Sequence, residues 1–307
     1  MDAALLILEV TAPVFVVGLL GWLWTRSGEP FETAFITRIA LNVSMPALLF
    51  AALARSEFTA QQFLDLAGAT FAAFFAAGLV TWAILKMFRL GARAWLLALI
   101  NGNTGNLGLP MALFAFGEEG LAAAVVIFSV QLVLTFTGGL WLLSGEASPR
   151  DIFRQPVLYG LALGIAVKFS GWAPPLFLMR SMDLAGQMAI PLMLMALGVS
   201  VARMNVADLG ASLLASVLRL IPVTGAALGA AWLFGLEPLL GDALILQMST
   251  PAAVTSYLLA ERYGRNAERI AGLVVVSTVV ALVHLPLVLA GMIGPDAGWW
   301  ASIYGAP

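Results

Sequence analysis

Apolar residues run along this chain in long blocks, and the charged residues fall between the blocks. Crossing the hydrocarbon layer of a membrane takes about 20 mostly apolar residues as a helix. The charges mark off ten stretches of this kind, at 4–25, 33–54, 62–86, 94–116, 119–144, 155–170, 175–202, 207–234, 240–261 and 268–293. The pattern predicts ten transmembrane helices, here called segments 1 to 10. Barrel strands would read as pieces of about ten residues alternating apolar and polar, whereas Leu121 to Leu143 is apolar or small with no such alternation. Segment 1 does not read as a cleavable signal peptide. Its start, Met1-Asp2, is not basic, Glu9 interrupts it, and no clear small-residue cleavage site follows.

Composition supports the membrane assignment. Of 307 residues, 61% are hydrophobic and 10% charged, against about 25% charged in an ordinary soluble domain. Lys and Arg number 15, Asp and Glu 17. The basic residues are scattered, so nothing in the chain points to nucleic acid as a partner. There are no cysteines and one histidine, which excludes thiolate chemistry and makes a metal centre or other cofactor unexpected. The loops are short, so the expected organisation is one membrane domain over 1–307.

Loops after odd segments hold Arg26, Arg38 at the start of segment 2, Lys86, Arg89, Arg93, Arg150, Arg154, Arg203, Arg262, Arg265 and Arg269, and loops after even segments hold Arg55, Lys168 and Arg180. By the positive-inside rule the odd loops are cytoplasmic, so both termini lie outside. The expected location is a bacterial inner membrane, with Trp299 and Trp300 as interfacial anchors.

Landmarks in the first half recur in the same order in the second, at a near-constant offset. Met45-Pro46-Ala47-Leu48-Leu49 matches Ile190-Pro191-Leu192-Met193-Leu194, Asp65 matches Asp208, Pro110 matches Pro251, and Val125-Val126-Ile127-Phe128-Ser129 resembles Val274-Val275-Val276-Ser277. A five-segment repeat reverses its orientation in the membrane, since five is odd. The reading is therefore two inverted repeats, about 1–146 and 152–295, the usual build of secondary transporters.

Segments 4 and 9 are each expected to break. Asn101-Gly102-Asn103-Thr104-Gly105-Asn106-Leu107-Gly108-Leu109-Pro110 lies within an apolar stretch, and in a helix Gly costs about 1 kcal/mol and Pro about 3 relative to Ala. Gln247-Met248-Ser249-Thr250-Pro251 is the counterpart, with Thr250 expected as an N-cap and Pro251 as the first residue of the resumed helix. Unwound backbone at membrane depth needs protein or a water-filled cavity around it, so two breaks predict a site where they meet. Half-helices restarting near Pro110 and Pro251 would offer positive dipole ends to an anion. Asn101, Asn103, Thr104, Asn106, Gln131, Gln247, Ser249 and Thr250 would add uncharged donors and acceptors. Pro46, Pro191, Pro222 and Pro286 lack such polar clusters and read as kinks or packing sites.

The stretches Asn42 to Phe50, Asn103 to Pro110 and Pro251 to Ala260 resemble the auxin efflux carrier family, and the similarity runs over nearly the whole chain. Bacterial members of that family include proteins assigned as malonate and malate carriers, and plant members export auxin. The resemblance implies a bile-acid-symporter-like fold in which segments 4 and 9 unwind and cross at prolines. It implies transport segments 3–5 and 8–10 moving against scaffold segments 1, 2, 6 and 7, as a homodimer. In plant members an asparagine beside each crossover proline helps hold the substrate carboxylate. This chain keeps asparagines in segment 4 but has Ser249 and Thr250 in segment 9. Sodium-coupled cousins carry an acidic residue at the segment 9 crossover, and here none stands between Asp242 and Glu261. Proton coupling or potential-driven exchange is therefore favoured over sodium.

Charged groups at mid-membrane cost at least about 2.5–3.5 kcal/mol on insertion scales. Arg219, a dozen residues into segment 8, is read as pairing with a substrate carboxylate or an acid, or as held within helix packing. Asp65 reads as a solvated acid at a helix start, or else as Arg219's partner or a proton carrier. Glu9 reads as an outer-vestibule or dimer contact. His284 reads as a histidine bonded within a helix interface, or else as a proton relay. No Gly-x-Ser-x-Gly or His-Glu-x-x-His motif is present, so an enzyme is not expected. The expected function is secondary active transport of a small organic anion, a mono- or dicarboxylate, by elevator-like alternating access, with a passive channel or facilitator as the alternative.

Overall fold

The apolar stretches fold as helices, and their prolines and glycines set where those helices bend. The structure is a computed structural model and describes residues 3–89, 92–144, 155–293 and 302–303. The expectations for Met1 and Asp2, Arg150 and Arg154, the repeat limits at 146 and 152, and Trp299 and Trp300 lie outside the described residues. Helices α1 (Ala3–Arg26), α2 (Thr33–Arg55), α3 (Ala60–Met87), α4 (Ala92–Ile100), α5 (Thr104–Leu143) and α6 (Pro156–Ser170) are followed by α7 (Leu176–Arg203), α8 (Leu209–Phe234), α9 (Pro238–Ser249), α10 (Val254–Arg262) and α11 (Ala267–Ala290). Seven of these, α1, α2, α3, α5, α7, α8 and α11, are long and apolar enough to cross a membrane. Among the described residues no strand forms.

Seven differs from the ten segments predicted for three physical reasons, the first being that segment 6 forms only the 15-residue α6, too short to span. Segments 4 and 9 are split, leaving α4, α9 and α10 too short to span. Segments 4 and 5 are also joined through α5, which runs over 40 residues and would be about 60 Å long if straight. It is not straight. Gly117 takes φ 71° and ψ −158°, and the chain doubles back there. A Cβ on Gly105 would stand 2.9 Å from the Phe128 ring, and Gln131 Nε2 donates to Asn101 Oδ1 at 2.5 Å. On a straight helix Gly105 and Phe128 would be about 34 Å apart. Gly117 therefore closes a hairpin between two antiparallel arms, and an L residue would rarely adopt its φ.

Two bends occur where a proline would otherwise clash with the carbonyl four residues earlier. A π turn, Ala40–Ser44, precedes Pro46, and another, Thr104–Gly108, precedes Pro110. Such turns widen the ring and relieve the mismatch.

Lipid supplies no hydrophobic drive between helices, so close backbone approach at small residues does much of the packing. Helix α1 packs on α7, where a Cβ on Gly198 would lie 1.8 Å from Gly18 O and one on Gly21 2.2 Å from Met195 O. Helix α6 packs on α2, with a Gly160 Cβ 2.2 Å from Pro46 O. Helix α3 packs along α8. In the middle, α9 is buried from Leu240 to Ser249 and packs on α5, which is itself buried from Gly120 to Ile127. Outer helices present Leu8, Phe71, Phe75, Ile221, Trp232 and Leu233 outward, a surface suited to lipid.

Candidate functional site

The two predicted breaks meet. Residues Asn101–Asn103, between α4 and α5, lie antiparallel to Thr250–Ala253, between α9 and α10, with Gly102 bridged to Ala252. The Asn103 N–H donates to Pro251 O at 2.7 Å, and the Ala253 N–H donates to Asn101 O at 3.0 Å. Backbone groups released by each break thus satisfy those released by the other, as burial demands. Only glycine fits at the centre, because a Gly102 Cβ would lie 2.5 Å from Thr250 Oγ1 and 3.3 Å from Gln247 O. On the second strand, the Ala252 N–H donates to Ser277 Oγ of α11 at 3.0 Å.

Asn101 ties this crossing to its neighbours. Its Oδ1 accepts from Gln131 Nε2 and from Thr135 Oγ1 at 3.1 Å. Its Nδ2 donates to Ser256 Oγ at 3.0 Å and Thr255 Oγ1 at 3.3 Å. Gln131 Nε2 also donates to Gly102 O at 2.6 Å. These side chains come from the second arm of α5 and from α10, so the crossing is held from two directions.

The helices that stop at the crossing converge on Arg219. Leu99, next to last in α4, would in a continuing helix bond the N–H of Asn103, which instead bonds Pro251. Arg219 Nε donates to that orphaned Leu99 O at 2.9 Å, and Arg219 Nη1 donates to Thr250 O, at the end of α9, at 2.7 Å. Arg219 is 2% exposed. Its place follows from α8, which is interrupted there because Pro222 offers no N–H to Leu218 O. His284 of α11 takes the adjoining carbonyl, its Nε2 donating to Ser249 O at 2.7 Å, while Ser249 Oγ meets Thr224 Oγ1 at 3.2 Å.

The helices that restart at the crossing, α5 and α10, have their N-terminal ends beside it. The Asn103 carbonyl accepts from the N–H groups of Leu107 and Gly108, both at 3.1 Å. The N–H groups of Thr104, Gly105 and Asn106 precede the first intrahelical acceptor. Asn103 Nδ2 and both side-chain polar atoms of Gln247 are buried without a protein partner. Gln247 is fully buried, its Oε1 only 2.0 Å from where a Cβ on Gly108 would stand. Buried amides of this kind are normally paired, and each unpaired group costs about 1–3 kcal/mol.

A cavity of about 280 Å³ reaches the crossing at Asn101, Gln131 and Thr135 and is otherwise walled by apolar groups such as Phe71, Phe74 and Trp141. A larger one, about 850 Å³, lies between α1, α7 and α11 and touches the crossing region only at Leu107. Thr11 and Thr278 are its polar side chains, and several of its walls face lipid, so it offers a carboxylate little to bind.

Residues 6–289 match the family described as membrane transport protein. The chain belongs to this family, that of the auxin efflux carriers it resembles. A relative from Methanocaldococcus jannaschii, named an uncharacterized transporter, is 25% identical over 305 residues, covering 91% of this chain and 97% of the relative. One from Methanothermobacter thermautotrophicus with the same description is 28% identical, covering 91% and 96%. A Rhizobium meliloti protein named "Putative malonate transporter" is 26% identical, covering 88% and 91%. This family member is an integral membrane transporter and not an enzyme.

The structure brings Asn101, Asn103, Thr104, Gln131, Gln247, Ser249, Thr250 and Pro251 to the crossing. Asn106 sits half-buried on the π turn. Two local expectations are corrected. Thr250 does not cap a resuming helix but ends α9, with ψ 150°, and Pro251 belongs to the extended crossing strand; α10 begins only at Val254. Likewise α5 resumes at Thr104, so Pro110 is buried within the helix rather than at its start. At Thr250-Pro251, pairing between the two stretches prolongs the unwound backbone beyond what local capping preferences would give, whereas in segment 4 the π turn Thr104–Gly108 accommodates Pro110 and lets the helix resume early.

Of the ionisable candidates, Asp65 is half-buried and accepts from Gln61 Nε2 at 2.8 Å. It is not the partner of Arg219, which bonds carbonyls; the ion pair among the described residues is Arg55 with Asp183. Glu9 is exposed on α1. His284 is bonded to a backbone carbonyl, the helix-interface arrangement. Sequence reasoning passed over Thr135, Thr224, Thr255, Ser256 and Ser277. Each is an ordinary small polar residue of a membrane helix, and the signals were indirect: Ser277 as part of the internal repeat, and Thr255 and Ser256 within the stretch that resembles the auxin efflux carriers.

Proposed function

We propose that this transporter is a secondary carrier of a small organic anion, a mono- or dicarboxylate, bound where the two broken segments cross. The observation that carries this reading is the antiparallel bridge between Gly102 and Ala252, which sets the N-terminal ends of α5 and α10 beside the unpartnered amides of Asn103 and Gln247. Helix N-terminal ends and neutral amide donors favour a carboxylate without a buried counter-charge. The name of the Rhizobium meliloti relative supports a dicarboxylate such as malonate among the candidates.

Ten membrane crossings in two inverted repeats account for the geometry in this reading. Segment 4 is α4 plus the first arm of α5, segment 5 is the second arm, and segment 9 is α9 plus α10. The antiparallel crossing is what two repeats of opposite orientation would produce. Segments 3–5 and 8–10 form the moving body and carry the crossing; segments 1, 2, 6 and 7 form the scaffold, whose glycine contacts join α1 to α7 and α2 to α6. The carrier works as an elevator in a bacterial inner membrane with both termini outside, as a homodimer, and driven by protons or the membrane potential.

The test is uptake of labelled carboxylates, malonate included, into proteoliposomes under imposed proton, sodium or potential gradients. The expected result is saturable, gradient-responsive uptake of one anion that is lost in Asn103→Ala and reduced in Thr250→Ala. Flux that never saturates would instead indicate a channel, and saturable uptake indifferent to both substitutions would remove the crossing as the binding site.

A further inference from the structure

Helices α4 and α9 end with their last carbonyls directed at one point, and a side chain fills it. A helix C-terminus carries roughly half a negative charge, so two converging ends present about one unit, which a single guanidinium offsets. In transporters built from broken helices, such ends and the unwound carbonyls next to them are where coupling cations are held. Here Arg219 Nε and Nη1 bond Leu99 O and Thr250 O at 2.9 and 2.7 Å. The side chain is 2% exposed, and residues 101–103 and 250–253 contain no acidic group that a mobile cation could use.

We propose that Arg219 is a built-in cation, occupying the position a coupling ion would otherwise take at the crossing. This rests on the crossing being the transport site. A covalently attached cation neither loads nor leaves, so alkali-ion gradients do no work on the cycle. The guanidinium compensates the negative helix ends permanently, and the positive ends of α5 and α10 remain for an anion. Arg219 is thus a positioning residue: it organises the crossing through its two carbonyls and need not touch substrate.

The experiment has a wild-type arm and a variant arm. In wild-type proteoliposomes, uptake of the transported carboxylate should stay within about twofold when all sodium and potassium are replaced by N-methylglucamine; dependence on either ion overturns the proposal. Arg219→Met keeps bulk and removes charge. It should lower uptake at least about tenfold and lower the thermal midpoint of the detergent-solubilised protein. Millimolar guanidinium should restore both saturably, while N-methylglucamine at equal ionic strength should not, and the wild type should respond to neither. A folded Arg219→Met protein that ignores guanidinium overturns the proposal. Arg219→Lys keeps a fixed charge and should fold and take up substrate without alkali cations, whether or not the Met variant folds; alkali-cation dependence in it overturns the proposal. If no carboxylate is taken up at all, the crossing loses its transport role, while the guanidinium response of Arg219→Met still decides whether the charge is built into it.

Discussion

The Asn103 N–H donates to Pro251 O at 2.7 Å across 148 residues of chain, and this bond joins the two unwound strands. It also explains why Leu99 O is free for Arg219, because the donor that a continuing helix would have supplied is engaged elsewhere. One pairing thereby sets the crossing, orphans a carbonyl and positions the buried charge.

Gly102 lies at the centre of that pairing. Gly102→Ala would set a Cβ 2.5 Å from Thr250 Oγ1, so the strands must separate. Overpacking of this kind costs about 1–3 kcal/mol, and uptake should be abolished. Thermal unfolding together with proteoliposome uptake checks this, and a Gly102→Ala protein with wild-type transport would contradict the geometry.

Asn101 and Asn103 should separate stability from transport. Asn101→Ala removes four side-chain bonds and leaves buried partners unsatisfied, at about 1–3 kcal/mol for each group left unpaired, so the protein should be clearly less stable. Asn103 Nδ2 has no protein partner, so Asn103→Ala should leave the thermal midpoint nearly unchanged and lower uptake at least about tenfold, since a hydrogen bond to a charged ligand is worth about 1.5–3 kcal/mol. Equal loss of stability in the two variants would count against this division.

Gly108→Ala would place a Cβ 2.0 Å from Gln247 Oε1. The neighbour is the far end of a flexible side chain, so the amide can move while the backbone stays. The expected outcome is a raised KM with a thermal midpoint close to wild type, and concentration-dependent uptake measures it. An unchanged KM would place Gln247 outside the binding site.

Gly198 tests the packing of α1 on α7. With a Cβ only 1.8 Å from Gly18 O, Gly198→Val must push the helices apart, which overpacking values put at about 1–3 kcal/mol or more. Thermal unfolding of the solubilised protein reads this directly, and tolerance of valine would show that the two helices do not approach so closely.

Asp65→Asn should change little. Its carboxylate accepts from Gln61 one turn earlier, and a substitution of this kind falls within about 0.5 kcal/mol. Uptake and its pH dependence should match wild type; loss of proton-driven uptake would make Asp65 the proton carrier.

The sequence by itself determined the membrane character, the apolar stretches and the two breaks, because each follows from local chemistry: the cost of charge in lipid, the length of a spanning helix, and the poor helix-forming tendency of Asn101 to Asn103 and of Thr250-Pro251. It also singled out eight residues that the fold brings together at the crossing, since polar groups are rare enough in such a chain to stand out. Only the tertiary structure decided how far the helices unwind: pairing across the crossing outweighs the local tendency of Thr250 to cap a helix, and a π turn lets α5 resume at Thr104, ahead of Pro110. The hairpin at Gly117 and the supporting hydroxyls of Thr135 and Ser256 were likewise decided in space. The same holds for Arg219, whose partners turned out to be two backbone carbonyls: every residue has such a carbonyl, and nothing in a sequence marks which of them a distant break will leave free.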